Sequence, residues 1–140
     1  MGLSNEADCR SVVSADLDLD GRPDLLVVEK EPGDDRTRDG QIRLVQNKMA
    51  TENDWIGIHL QVSAGKPLWG ALVTVKQDGY SQSLPIVTGD SWKAQHSTSI
   101  HFGLGKYGPV KEIIVRWPNG VLTKLNAPSA NSYHIIKESK

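Results

Sequence analysis

The stretch "IIVRWPNGVLTKL", Ile113 to Leu125, decides the fold class. Two runs of strand-forming residues flank Asn119-Gly120, and Pro118 stands just before the pair. Asn-Gly supplies the positive φ angles that a tight hairpin turn demands. The same grammar occurs in "LVTVKQDGYSQSL", Leu72 to Leu84, with Asp78-Gly79 at the turn. Outward from these hairpins, alternation and turn punctuation dominate, and helical periodicity is almost absent. Strands are expected at 11–15, 25–29, 41–46, 55–62, 71–76, 80–87, 98–102, 112–117, 121–125 and 132–137. About ten short strands separated by turns read as all-β, an antiparallel β-sandwich or small barrel.

Two polar stretches interrupt the pattern. "EKEPGDDRTRDGQ", Glu29 to Gln41, is charged and turn-rich, the composition of a long solvated loop. "NKMATEND", Asn47 to Asp54, suits a linker or one helical turn. A boundary there divides the chain into a first part, residues 1–48, and a β domain, residues 54–138.

Bulk properties exclude several classes. The 140 residues carry 16 basic and 17 acidic side chains, a net charge of -1. A general nucleic-acid or membrane-surface binder needs a basic excess. No apolar run approaches the ~20 residues of a membrane span. Cys9 is the single cysteine, so there is no internal disulfide, and no local motif marks it as reactive. Met1 to Glu6 lacks the charged and apolar regions of a signal peptide. An export signal, if the protein uses one, is expected upstream of this sequence.

One loop carries unusual charge. In "SADLDLDGRPDLLVVE", Ser14 to Glu29, Asp16, Asp18, Asp20 and Asp24 occupy positions 1, 3, 5 and 9, and Gly21 occupies position 6. Alternate carboxylates in a tight turn converge, and Ca²⁺ takes 6–8 oxygens at ~2.3–2.6 Å. The carbonyl of Arg22, at position 7, adds a further oxygen. Gly21 permits the left-handed backbone that such a turn requires. The loop is not an EF-hand: position 12 is Val27 instead of a bidentate Glu, and both flanks read as strands. The expectation is an N-terminal calcium-loop β-hairpin. Magnesium suits the loop less, because it favours few carboxylates and retains its waters.

"DLDLDGRPDLLVV" closely resembles the calcium loop of FG-GAP/VCBS repeats, the blades of integrin-like propellers. The resemblance implies Asp16, Asp18, Asp20, the Arg22 carbonyl and Asp24 as calcium ligands. It also implies that residues 1–48 are part of one such repeat. The segments "DWIGIHLQV", "WGALVTVKQDG", "IHFGLG", "VKEIIVRWPNGVLTKL" and "SYHIIKE" resemble the ASPIC/UnbV domain, which follows such repeats in secreted bacterial proteins and in the cartilage acidic protein family. The chain departs from that family at "TGDSWKAQ", Thr88 to Gln95, where a "GSGYLSQ"-like stretch is usual.

Other chemistry is weakly signalled. His59, His96, His101 and His134 are dispersed, with no zinc-binding spacing. No G-x-S-x-G elbow supports a serine triad. "FGLGKYG" lacks the G-K-S/T of a phosphate loop. Trp55 and Trp117 border apolar strands and are expected in the core. Trp69 and Trp92 lie in turn-rich segments, where an aromatic ring either caps the sandwich or stacks on a ligand. The functional expectation is a non-catalytic, secreted, periplasmic or cell-surface module for adhesion or recognition, part of a larger propeller protein. Its expected partner is a protein or glycan at the cell surface or matrix. The alternatives are a carbohydrate-binding module using Trp69 and Trp92, or an accessory domain of a larger enzyme.

Overall fold

The computed structural model describes residues 8–30, 40–87 and 89–138. These contain no helix and ten strands: β1 (Asp8–Ala15), β2 (Asp24–Lys30), β3 (Gly40–Val45), β4 (Asp54–Gln61), β5 (Leu72–Gln77), β6 (Tyr80–Pro85), β7 (Ile100–Gly105), β8 (Glu112–Arg116), β9 (Leu122–Asn126) and β10 (Tyr133–Lys137). The strands form three open sheets, ordered β1-β2-β3, β10-β4-β7 and β6-β5-β8-β9. No barrel closes, so the sandwich alternative holds. The chain divides into two compact units. One comprises Met1–Met49 with Gly89–His96, and the other Ala50–Thr88 with Ser97–Lys140.

In the second unit, strand alternation builds the core. Ile56, Ile58 and Leu60 of β4 point inward, as do Ile100, Phe102 and Leu104 of β7. Val73 and Val75 of β5, with Ile113 and Val115 of β8, complete one contiguous apolar cluster. Trp117 is fully buried in it, and its indole N–H donates to Thr123 Oγ1 at 2.8 Å. That bond satisfies the one polar atom of a large apolar ring. Gln77 is also buried; its amide donates to the carbonyls of Leu104 (3.0 Å) and Gly108 (2.7 Å), tying β5 to the end of β7.

Both hairpins form, with chemistry that differs from the simplest expectation. Gly79 and Gly120 take φ of 67° and 86°, whereas Asp78 and Asn119 are not in the left-handed region. At the second turn Gly120 N donates to Trp117 O (2.9 Å) and Trp117 N to Val121 O (2.9 Å). Asn119 Oδ1 accepts from Val121 N at 3.0 Å. Proline at the first central position and a left-handed glycine after the turn give a three-residue loop with a glycine bulge.

One pair departs from the antiparallel expectation: β10 runs parallel to β4. A parallel neighbour requires a crossover instead of a hairpin. Here the connection from β4 to β10 runs through β5 to β9, of which β5, β6, β8 and β9 lie in the other sheet of the unit.

The first unit is an antiparallel meander. Val27 is its one buried aliphatic among the described residues, while Ile42 is 73% exposed. The buried Glu29 pairs with Arg43 at 2.5 Å. The expected long loop narrows at both ends: Glu29 and Lys30 belong to β2, Gly40 and Gln41 to β3, and residues 31–39 lie outside the described residues. Asn47 to Asn53 forms no helical turn and connects β3 to β4 in irregular backbone.

Candidate metal centre

β1 ends at Ala15 and β2 begins at Asp24, so the acidic loop joins two paired strands. The loop wraps around Asp16. Its Oδ1 accepts from Asp20 N (3.0 Å) and its Oδ2 from Gly21 N (2.9 Å). Leu19 and Gly21 both take left-handed backbone, φ 59° and 86°. Glycine does so freely, but a leucine there costs ~1–2 kcal/mol. The anchored turn holds that strained leucine in place.

This wrapping gathers three carboxylates. One oxygen from each of Asp16, Asp18 and Asp20 lies within 4.8 Å of the others. Two oxygens on one ion cannot be farther apart than twice the metal–oxygen distance. For Ca²⁺ that limit is about 4.6–5.2 Å, and for Mg²⁺ about 4.0–4.2 Å. The three carboxylates therefore converge on the scale of one cation's oxygen shell. Among the described residues no other group of three or more His, Cys, Asp or Glu side chains converges in this way.

The other expected ligands are placed differently. Asp24 is 2% exposed and stands outside the converging group. Its Oδ1 accepts from Asn47 N (2.8 Å) and its Oδ2 from Leu17 N (3.3 Å), so it clasps the loop to the end of β3. Arg22 enters through its own N–H, which donates to Asp20 Oδ1 at 2.9 Å, and through its guanidinium. The guanidinium pairs with Asp20 and donates through Nε to Asn47 O at 3.0 Å. Gln46 donates to Asp18, and Lys48 Nζ lies 4.0 Å from Asp18. Gln46, at the end of the strand expected at 41–46, and Asn47 and Lys48, at the start of the expected linker, thus contact the acidic loop, which their sequence positions do not announce. Their only signal was a run of polar, hydrogen-bonding residues directly after β3.

The tryptophans separate sharply. Trp117 is core, as expected. Trp55 is not: it lies half-buried on the other face of β4, stacked on His101 (5.0 Å between centroids) and edge-on to Tyr133 (5.0 Å). His59 stacks on the same tyrosine at 4.8 Å and shares a 2.6 Å hydrogen bond with Ser99 Oγ. The Tyr133 ring passes over Gly57, where a Cβ atom would meet it at 2.1 Å. Trp69, in the second unit, is 41% exposed, and Trp92, in the first, is 71% exposed. The histidines do not assemble into a metal site. His96 pairs with Asp90 at 3.1 Å, and His134 Nε2 sits 2.8 Å from Ser129 O. The hydrogen bond from His96 holds the Asp90 carboxyl below its ordinary pKa.

Residues 62–140, more than half of the sequence, match the family described as "ASPIC and UnbV". The chain belongs to the ASPIC/UnbV family. The ASPIC/UnbV match accounts for β5 to β10 and stops short of the acidic loop. An ASPIC/UnbV domain is a C-terminal domain of larger proteins. No curated protein matches the chain.

Proposed function

We propose that this ASPIC/UnbV chain is a non-catalytic recognition module, and that calcium binding at Asp16, Asp18 and Asp20 holds its first unit in shape. The observation that carries this reading is the 4.8 Å convergence of three carboxylates in a loop between paired strands. Asp24 and the Arg22 carbonyl complete the proposed ligand set, Asp24 after a local rotation that releases one backbone N–H. The bound ion would offset like-charge repulsion that Arg22 and Lys48 neutralise only in part. The resemblance of this loop to FG-GAP/VCBS repeats supports the same reading and suggests a longer, propeller-bearing protein. Extracellular calcium modules bind at about 10⁻⁴–10⁻³ M. That range fits a secreted, periplasmic or surface-exposed protein whose partner lies at the cell surface or matrix.

Thermal unfolding in chelator, in magnesium and in calcium tests the proposal. Binding to the native state adds about 2.7 kcal/mol at a hundredfold excess over Kd. For a chain of this size the midpoint rises by roughly 9 °C in calcium. Magnesium shifts it far less, and Asp18→Asn blunts the calcium response. Three coincident curves, with no calcium-dependent change in amide exchange from Asp16 to Asp24, would falsify the proposal.

A further inference from the structure

The segment from Gly89 to His96 is a short finger anchored on β1. Its tip is Trp92-Lys93, and Ser91 and Ala94 close the turn by a β-bridge. Three devices fix its base. Gly89 takes φ 71°; Asp90 Oδ1 pairs with His96 Nδ1 at 3.1 Å; Ser91 Oγ donates to Val12 O, on β1, at 2.8 Å. Lys93 is held at φ 53°, a conformation that costs a side-chain-bearing residue energy and persists where the surroundings impose it. All this holds an indole that is 71% exposed. A tryptophan stationed in water on an anchored, strained turn gains nothing for folding. It gains a great deal if a partner covers it.

We infer that the Trp92-Lys93 finger binds an acidic oligosaccharide, with the indole stacking on a sugar ring and Lys93 pairing with the sugar's carboxylate or sulfate. Lys93 Nζ lies 5.6 Å from the centre of the indole, so the cation and the flat apolar surface form one unit. A pyranose presents that combination in reverse: an apolar C–H face with an anion at its rim. A protein hot spot needs a surrounding ring of contacts that excludes water. Around Trp92 the finger offers Asp90, Ser91, Lys93, Gln95 and His96, with Ala94 its one other apolar side chain. Polar groups of this kind suit hydroxyls. Asp90, the finger's one acidic side chain, is paired with His96 Nδ1. The inference deepens the recognition role proposed above and is independent of its calcium arm.

The test is titration calorimetry with the full chain and three probes: glucuronate-containing hyaluronan fragments, neutral chito-oligosaccharides of equal length, and a poly-glutamate peptide. Each titration is run in calcium and in chelator. The acidic saccharide should bind more tightly than the neutral one. Trp92→Ala should weaken it about tenfold or more, equivalent to about 1.4 kcal/mol, with Trp92→Phe restoring part of the affinity. Lys93→Gln should erase the preference for the acidic saccharide and leave the neutral one unchanged. Circular dichroism of each variant should match the parent, since the altered residues are exposed. The inference is overturned if neither saccharide binds, if Trp92→Ala binds as well as the parent, or if poly-glutamate shows the same Trp92-dependent binding. A finger that binds saccharide equally in chelator, beside coincident melting curves, would defeat the calcium proposal and leave this one standing.

Discussion

The two units hold themselves together by different chemistry. The second buries fifteen apolar residues in one cluster, with Trp117 and Phe102 its largest members. The first buries Val27 and leaves Val12, Val28, Ile42 and Leu44 exposed. Its order comes from polar clasps: Asp16 on two backbone N–H groups, Asp24 on two more, Arg22 bridging Asp20 to Asn47, and Glu29 on Arg43. Apolar burial does not depend on binding any particular ion, whereas charged clasps respond to ions directly. One chain thus carries a unit that answers to packing and a unit that answers to electrostatics.

Substitutions can break that contrast at either end. The largest effect is expected from Trp117→Ala, which empties the centre of the sandwich. Loss of a buried tryptophan costs ~3–5 kcal/mol. Chemical denaturation of the second unit should show it, while amide exchange in the acidic loop stays unchanged. Coupled loss in both regions would show that the contrast is false.

Asp24→Ala is the corresponding cut in the first unit. It strands the N–H groups of Leu17 and Asn47, at a cost of ~2–3 kcal/mol. Faster exchange should appear in β1 to β3 and leave β5 and β8 untouched. Gly57→Ala ranks next. The added methyl collides with Tyr133, and forcing the ring aside costs ~1–3 kcal/mol. The near-ultraviolet signal of the Trp55–Tyr133 pair should change with it.

The smallest effect sharpens the comparison, because it places a charge response on the sandwich surface. Lys124 and then Lys76 hold the Glu112 carboxyl below its ordinary 4.5, at 2.9 and 3.4 Å. A lowered folded pKa contributes stability above 4.5, and that contribution disappears as pH falls through the lowered value. Lys124→Gln should move the Glu112 titration, followed by carboxyl NMR, back up toward the ordinary value. The group is solvent-facing, so the melting temperature near neutral pH should hardly change.

Much of this was legible in the sequence. Each of the ten expected strands corresponds to an observed one, because alternation and Asn-Gly or Asp-Gly turns are local signals. The convergence of Asp16, Asp18 and Asp20 was legible for the same reason, being written into five consecutive positions. The position of Trp55 was also available, though apolarity hid it. Ile56, Ile58 and Leu60 face the core, so Trp55 shares the opposite face with Gly57 and His59 by parity alone. The rest had no local signal. Asn47 reaches Asp24 across 23 residues, Ser91 reaches Val12 across 79, and the parallel pairing of β10 depends on a crossover through another sheet. Such contacts depend on how the chain returns, which short-range patterning does not encode.

The position of β4 has a practical consequence for anyone cutting this molecule apart. β4 lies between β10 and β7, so both neighbours take their sheet hydrogen bonds from it. Yet it ends at Gln61, one residue before the family match begins. A gene fragment trimmed to residues 62–140 would lose the middle of a three-strand sheet and three inward-facing side chains, Ile56, Ile58 and Leu60. The orphaned edges of β7 and β10 would then be open to pairing with other copies, and the expected product is insoluble protein. A fragment beginning at Ala50 keeps the strand and is the natural starting point for expressing the sandwich unit alone.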